Sequence, residues 1–133
     1  MATFPLQIVT PDGGFYDGEA ERLLVRTTEG NVCILPRHSP YVAALGIGEA
    51  AVVIGGQRRR AACAGGMLAV TQNGVRLVAT TFEWADSIDL ERARLAKERA
   101  EAALKNAAEA AETARAEAKL RRALTRIAVA GAK

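Results

Sequence analysis

The feature that most constrains this 133-residue chain is that glycine and proline are absent between Trp84 and Gly131. Before Trp84 they recur throughout and divide the sequence into short apolar runs. Because glycine and proline interrupt regular secondary structure, a long segment without them favours helices. The sequence therefore predicts two domains, residues 1–84 with short strands and residues 85–133 with helices.

Residues 1–84 are predicted to form an antiparallel β-sandwich. Eight or more short apolar runs alternate with turn signals, among them Pro11-Asp12-Gly13-Gly14, Gly55-Gly56 and Asn73-Gly74. Proline presets one turn dihedral angle and glycine supplies positive φ, so these clusters are expected between strands. Gly65-Gly66 is interpreted as a further turn, and Trp84 as a side chain that packs between the two domains. No glycine pair has the lysine or helix of a phosphate loop.

Residues 85–133 are predicted to form an antiparallel hairpin of two amphipathic helices. Asp86, Ser87 and Asp89 could each cap the first helix. Alanines recur at helical spacing on both segments, which allows close packing but buries little apolar area. The link at 105–109 lacks glycine and proline, so the alternative structure is one continuous helix from 89 to 130. We hypothesise that the hairpin and the continuous helix differ little in free energy, so that the chain could switch between them.

The basic charge of the chain lies in its last segment. Six basic and one acidic side chains give residues 113–133 a net charge of +5, whereas seven of each sign cancel in residues 1–84. A basic stripe on the second helix comprises Arg115, Lys119, Arg122 and Arg126. The stripe indicates an acidic partner. A nucleic-acid-binding module is the rival class, but the aromatic platforms of single-strand binders are missing.

Cysteine and histidine content argues against disulfide or metal chemistry. Cys33 and Cys63 lie in separate apolar runs, and without a secretion signal two buried free thiols are expected. His38 is the single histidine, so no metal site is expected. No apolar run reaches the roughly 20 residues of a membrane span. With no nucleophile, base and oxyanion site, a soluble, non-catalytic protein is expected.

Several motifs follow one another in a specific order along the chain. Residues 29–40 read EGNVCILPRHSP, residues 65–70 read GGMLAV, and residues 88–93 read IDLERA. The first and last match the EG-x-x-GILP-x-H-x-P and I-D-x-x-R-A motifs, and the chain resembles the ε subunit of the F-type ATP synthase over nearly its whole length. Cys33 and Arg37 stand where that family usually or often has glycine. Because such a glycine often marks positive φ, a changed local turn is expected.

The resemblance implies a non-catalytic subunit of the rotating stalk. The sandwich would bind the γ subunit and the ring of c subunits, with Glu29, Arg37 and His38 as contacts to the c ring. The helical domain, extended along γ, would reach the α and β subunits and inhibit ATP hydrolysis, and the basic stripe would meet an acidic loop of β. The expected location is the cytoplasmic face of the plasma membrane, without insertion into it.

In some bacterial members of that family the folded hairpin binds ATP as a regulatory ligand. The pattern maps onto Glu83, Ile88, Asp89, Arg92, Arg99, Arg122 and Arg126. Arginine forks suit phosphate oxygens, while Glu83 or Asp89 would accept a hydrogen bond from the adenine amino group. Magnesium is possible there but not required, and no catalytic cofactor is expected. In the alternative, Asp89 only caps the first helix, the arginines pair with Glu91, Glu98 or Glu101, and the stalk subunit works without ATP.

Overall fold

The computed structural model describes residues 2–131, so positions 1, 132 and 133 of the predicted domains lie outside it. The strands are β1 (Phe4–Thr10), β2 (Gly13–Ala20), β3 (Arg22–Thr27), β4 (Gly30–Ile34), β5 (Tyr41–Ala44), β6 (Ile47–Ile54), β7 (Gln57–Thr71) and β8 (Gly74–Trp84). A 3₁₀ turn (Ala85–Ser87) leads to the helices α1 (Leu90–Lys105) and α2 (Ala110–Gly131). The predicted fold class, a β-sandwich followed by a two-helix hairpin, is confirmed.

The strands form a sheet that folds over on itself around one core. Its order is β2-β1-β8-β7-β6-β3-β4, with β5 paired to β7 outside this path. The pairs are antiparallel apart from β1 with β8, which is parallel. Alternating side chains of these strands point inward, and Leu6, Ile8, Leu23, Leu68 and Leu77 are fully buried. Burial of these apolar chains stabilises the sandwich.

The predicted turn at Gly65-Gly66 is wrong, because both glycines lie inside the 15-residue strand β7. Residues of β7 before the pair bond to β6, and residues after it bond to β5. The two glycines have φ of +70° and +114°, and a Cβ on Gly66 would lie 1.8 Å from the carbonyl oxygen of Val78. The glycines therefore let one strand bend from one layer to the other.

Trp84 packs at the end of the sandwich core, so its predicted place between the domains is wrong. Its ring lies edge-on to Phe82 with centroids 5.0 Å apart, and the centroid of Phe15 is 5.9 Å away. The guanidinium of Arg59 lies 3.9 Å from the centroid of the Trp84 ring. Arg59 thus covers the edge of the aromatic cluster and adds a cation–π contact of about 0.5–1 kcal/mol.

The expectation of two buried thiols holds for Cys63 only. Cys33 is exposed, and both cysteines are free. In β4 the inward side chain is Ile34, and its neighbour Cys33 points away from the core because successive strand residues face opposite sides. Burial raises the pKa of the Cys63 thiol to about 12.

The helices pack as a hairpin through small side chains. The buried alanines recur at seven-residue intervals, at Ala93 and Ala100 in α1 and at Ala116, Ala123 and Ala130 in α2. This spacing is that of a close-packed helix seam. Of the two arrangements that the sequence left open, the structure has the hairpin, with α1 ending before Asn106.

The hairpin rests against the sandwich over a small apolar contact. Ala62 of β7, Ile88, and Val129 and Ala130 of α2 form a separate buried cluster. Three of these four side chains are alanine or valine, so little apolar area is buried. The contact between the domains is therefore weak compared with the sandwich core.

Candidate functional site

A cleft of about 500 Å³ lies between α1, α2 and the segment that joins the end of β8 to α1. It is lined by Glu83, Ser87, Ile88, Asp89, Arg92, Ala93, Ala96, Arg99 and Arg126. The structure thus brings together all the predicted ATP-binding residues except Arg122. Its volume falls within the range of about 300–1,000 Å³ that is usual for sites of small organic ligands.

Arg122 lies outside this cleft. It lines a separate small cavity between α2 and the sandwich, beside Cys63, Thr81 and Ala62. Arg122 and Arg126 are one helical turn apart and both line this cavity, but of the two only Arg126 also reaches the cleft. A ligand in the cleft of the folded hairpin therefore meets one arginine of α2.

Arg126 is held by an ion pair with Glu83. Its Nε donates to the Glu83 Oε1 at 2.6 Å, across the boundary between helix and sandwich. Both side chains remain partly exposed, at 27% and 36%. The pair fastens α2 to the end of β8, and an anionic ligand would compete with Glu83 for Arg126.

Asp89 caps α1, as the alternative interpretation expects. Its Oδ1 accepts a hydrogen bond from the backbone N–H of Arg92 at 3.0 Å. The side chains of Arg92 and Arg99 form no ion pair within residues 2–131, so the predicted pairing with Glu91, Glu98 or Glu101 is not observed. Two guanidinium groups therefore remain available for an anion in the cleft.

The small residues of the cleft were predicted only in part. The gap between Arg92 and Arg99 is formed by Ala96, which helical spacing places between them, and Ala93 extends it. Ser87 was noticed as a possible helix cap, but the cap is Asp89, and Ser87 lines the cleft instead. The sequence signal for Ser87 was its place just before Asp89, because two cap-type residues in succession leave one of them free to line a neighbouring cleft.

The residues predicted to contact the c ring do not form one cluster. Glu29 lies in the turn that precedes β4, whereas Arg37 and His38 follow the other end of that strand. Five residues of strand separate these ends by about 17 Å at about 3.3 Å per residue. His38 is fixed by ring contact with Tyr41, with centroids 6.0 Å apart, and its Nδ1 lies 2.7 Å from the carbonyl oxygen of Ser39.

Arg37 adopts a positive φ, so the change of the turn that the missing glycine predicted is not observed at this position. Its φ is +66°, and the N–H of His38 donates to the carbonyl oxygen of Leu35 at 3.1 Å. With Pro36 ahead of it, Arg37 occupies the position of a type II turn at which glycine is strongly preferred. The turn persists without glycine, at the cost of local backbone strain.

The basic stripe is divided between two environments in the folded hairpin. Arg115 and Lys119 are exposed, whereas Arg122 and Arg126 are half-buried against the sandwich or paired with Glu83. The stripe is therefore not a continuous free surface while the hairpin is docked.

No group of three His, Cys, Asp or Glu side chains among residues 2–131 could hold a metal ion. Nor does any helix in this range combine the length and apolar character needed to cross a membrane.

Comparison with known proteins adds independent findings over the whole chain. Residues 3–85 match the family model "ATP synthase, Delta/Epsilon chain, beta-sandwich domain", and residues 86–131 match "ATP synthase, Delta/Epsilon chain, long alpha-helix domain". The ATP synthase epsilon chain of Bacillus velezensis is 44% identical over 131 residues, covering 98% of this chain and 99% of its own length. That of Shouchella clausii is 42% identical over 130 residues, covering 98% and 96%.

The fold is also similar to a solved structure. A chain of the mitochondrial ATP synthase of Euglena gracilis, determined with its F1 part and c-ring, superposes with a TM-score of 0.82 at 23% identity. The similarity covers all of this chain and 83% of that one. The chain therefore belongs to the ATP synthase delta/epsilon chain family, whose epsilon chains are non-catalytic subunits of the central stalk.

Proposed function

We propose that this chain couples the γ subunit to the c ring and restrains ATP hydrolysis through its hairpin, which bound ATP holds in the folded form. The observation that carries the ATP-dependent part is the convergence of Arg92, Arg99 and Arg126 on one cleft, beside the carboxylates of Asp89 and Glu83. Guanidinium groups bind phosphate oxygens, and a carboxylate can accept from the adenine amino group.

An exposed apolar face of the sandwich supports a stalk contact with γ. Val42, Met67 and Val78 are 66%, 45% and 42% exposed. Met67 lies opposite Val78 in one strand pair and opposite Ala44 in the other, so these side chains share one face. Contiguous apolar surface of this kind marks protein interfaces. Met67→Glu should weaken co-purification with γ, while Gln72→Glu at the β7–β8 turn should not.

The predicted contacts to the c ring, Glu29, Arg37 and His38, lie at the two ends of β4, about 17 Å apart, a distance that one protein interface can span. Charge reversals test these contacts. Glu29→Lys and Arg37→Glu should each impair assembly of the complex with the c ring. Equal tolerance of both changes would contradict the predicted contact set.

The weak contact between the domains supports a hairpin that can undock and inhibit ATP hydrolysis, here called the brake. A small apolar cluster and the Arg126–Glu83 pair connect hairpin and sandwich, together with further contacts of α2 with β6 and β7, and little apolar area is buried in the cluster. A modest change in free energy therefore shifts the docked population. On extension, Arg122 and Arg126 would join Arg115 and Lys119 in one exposed basic surface, which suits an acidic surface of the α and β subunits.

A disulfide tests the brake. Cysteines at Ala100 and Ala116, the buried positions nearest the link, would lock the helices together in a background without the native thiols. We expect the oxidised, assembled ATPase to hydrolyse ATP without inhibition and to regain inhibition on reduction. If inhibition is the same in both states, opening of the hairpin is not part of the mechanism.

Calorimetry with ATP on the free chain tests the cleft. Loss of a charge-assisted hydrogen bond costs about 1.5–3 kcal/mol, so Arg92→Ala and Arg99→Ala should each weaken affinity roughly tenfold or more. Arg94→Ala is the matched control, because Arg94 is exposed on the same helix and does not line the cleft. Unchanged affinity in both cleft variants would exclude the site. Titration with and without magnesium shows whether the metal is needed.

A stalk subunit without ATP binding is the second candidate, and one observation favours it. Arg126 is already paired with Glu83, and Asp89 already caps α1, so the hairpin has its own polar contacts without a ligand. In that case docking is set by these contacts alone. Calorimetry would then give no heat of binding for the unmodified chain, while the disulfide would still control hydrolysis.

A further inference from the structure

A second polar groove lies on the other side of α2 from the cleft. It has a volume of about 430 Å³ and is formed by the outer face of β3, β4 and β6 together with α2. Its polar residues are Arg26, Asn31, Glu49, Arg121 and Thr125, and its apolar walls are Leu24, Ile47 and Leu124. None of these residues lines the ATP cleft.

Two arginines of this groove have no ion-pair partner among the residues that the structure describes. Within residues 2–131, neither Arg26 nor Arg121 forms an ion pair or donates a side-chain hydrogen bond. Arg26 comes from the sandwich and Arg121 from the hairpin, so the groove faces two positive charges from different domains. Such a pair of charges is repulsive unless an anion or solvent lies between them.

The carboxylate of the groove does not neutralise these arginines. Glu49 is contacted by Arg60 at Oε1 and approached by Arg58 Nη2 at 3.9 Å. Arg58 and Arg60 lie on one face of β7 and Arg59 on the other, because successive strand residues face opposite sides. Glu49 is thus balanced from its own side of the sheet, and the net charge around the groove is positive.

The backbone makes room for the side chain of Arg26. A Cβ on Gly48 would lie 2.8 Å from its Cδ and 2.9 Å from its Cβ, so the aliphatic stem of Arg26 crosses β6 over a residue without a side chain. Asn31 lies directly opposite Arg26 in the pairing of β3 with β4. These two neighbours fix where the guanidinium of Arg26 can lie.

We propose that this groove binds a small oxyanion ligand, bearing phosphate or carboxylate groups, that bridges Arg26 and Arg121. Because the two arginines belong to different domains, the bound anion favours the docked hairpin. The effect of the anion on inhibition of ATP hydrolysis rests on the proposed function, whereas binding of the anion depends only on the groove. The site is separate from the ATP cleft, so both ligands can bind at once. Because each favours the docked hairpin, each should raise the affinity for the other.

Two-dimensional ¹H–¹⁵N NMR titration of the full chain with pyrophosphate, and in parallel with succinate, tests the site and identifies which oxyanion binds. We expect saturable shifts at Asn31, Arg121 and Thr125. Arg26→Ala and Arg121→Ala should each weaken binding about tenfold. Arg115→Ala, exposed on the same helix, is the matched control, and Arg92→Ala should leave binding at this groove intact while it weakens ATP binding.

Hydrogen exchange gives a second readout. At ten times the dissociation constant, a ligand specific for the docked form should slow opening of α2 roughly tenfold. The proposal is overturned if neither anion gives saturable shifts, if Arg26→Ala and Arg121→Ala bind as well as the unmodified chain, or if the shifts are confined to the ATP cleft and vanish in Arg92→Ala. Gly48→Ala should mimic Arg26→Ala, because the added methyl displaces the arginine stem.

Discussion

Val129 provides the sharpest test of how the hairpin is attached. It is fully buried and is the largest side chain that α2 contributes to the cluster with Ala62, Ile88 and Ala130. Val129→Ala removes two buried methyl groups but leaves the sandwich core untouched. The change should therefore weaken docking of the hairpin without unfolding the strands.

The magnitude follows from the atoms removed. At about 0.8 kcal/mol for each buried carbon, two methyl groups contribute about 1.6 kcal/mol. A residual cavity adds to this loss, and the higher helix propensity of alanine returns about 0.5 kcal/mol where α2 frays on undocking. We expect docking to weaken by about 1–2 kcal/mol, which raises the undocked population roughly 5–30-fold.

Native-state hydrogen exchange measures this opening directly. Amides of α2 should exchange 5–30-fold faster in Val129→Ala, whereas amides of the core strand around Leu68 should keep their rates. Leu95→Ala is the control, because Leu95 is 47% exposed on α1 and its truncation should change stability by less than about 0.5 kcal/mol. If the strands and α2 accelerate in equal proportion, hairpin and sandwich open as one unit, and the reasoning about a weak domain contact is refuted.

Three further outcomes can be measured on the same chain. Arg37→Gly should raise the urea midpoint and stabilise the chain by about 0.5–1 kcal/mol, because glycine relieves the positive φ but loses more entropy; a lower midpoint would contradict strain at this turn. A double-mutant cycle of Glu83→Gln and Arg126→Gln should give a coupling of about 0.5–1 kcal/mol that shrinks with salt, since both chains are partly exposed; zero coupling at low salt would mean that the pair is not stabilising. Iodoacetamide at pH 8 should modify Cys33 and spare Cys63. Because burial raises the pKa of Cys63 from 9.0 to about 12, the buried protonated thiol contributes its full stability below pH 9, and that contribution falls as the pH rises from 9 towards about 12. This pH dependence should disappear in Cys63→Ala.

The strand and helix content of the two halves could be predicted because local chemistry dominates there. Gly55-Gly56 forms the expected two-residue turn, with φ of +57° and +79°. Gly65-Gly66 has the same letters and lies within a strand, because the sheet must bend where β7 passes from β6 to β5. A glycine pair signals unusual φ but does not by itself distinguish a chain reversal from a bend.

The candidate cleft was predictable where its residues share one helix. Helical spacing places Asp89, Arg92 and Arg99 on one side of α1, and they line the same cleft. The positions on α2 were less certain, because they depend on how the second helix is rotated against both α1 and the sandwich. That rotation turns Arg126 towards Glu83 and places Arg122 against the outer face of the sheet, outside the cleft.

By itself, the sequence determined the division into a strand half and a helix half, the family motifs, and the charges of each helix face, since all of these depend on neighbours close in the chain. The tertiary structure decided what lies between distant segments. It paired Glu83 with Arg126, enclosed Trp84 within the sandwich, and set Arg26 across from Arg121 around one groove. These relations depend on the packing of α2 against the sheet, where a rotation of one residue, about 100°, changes every partner.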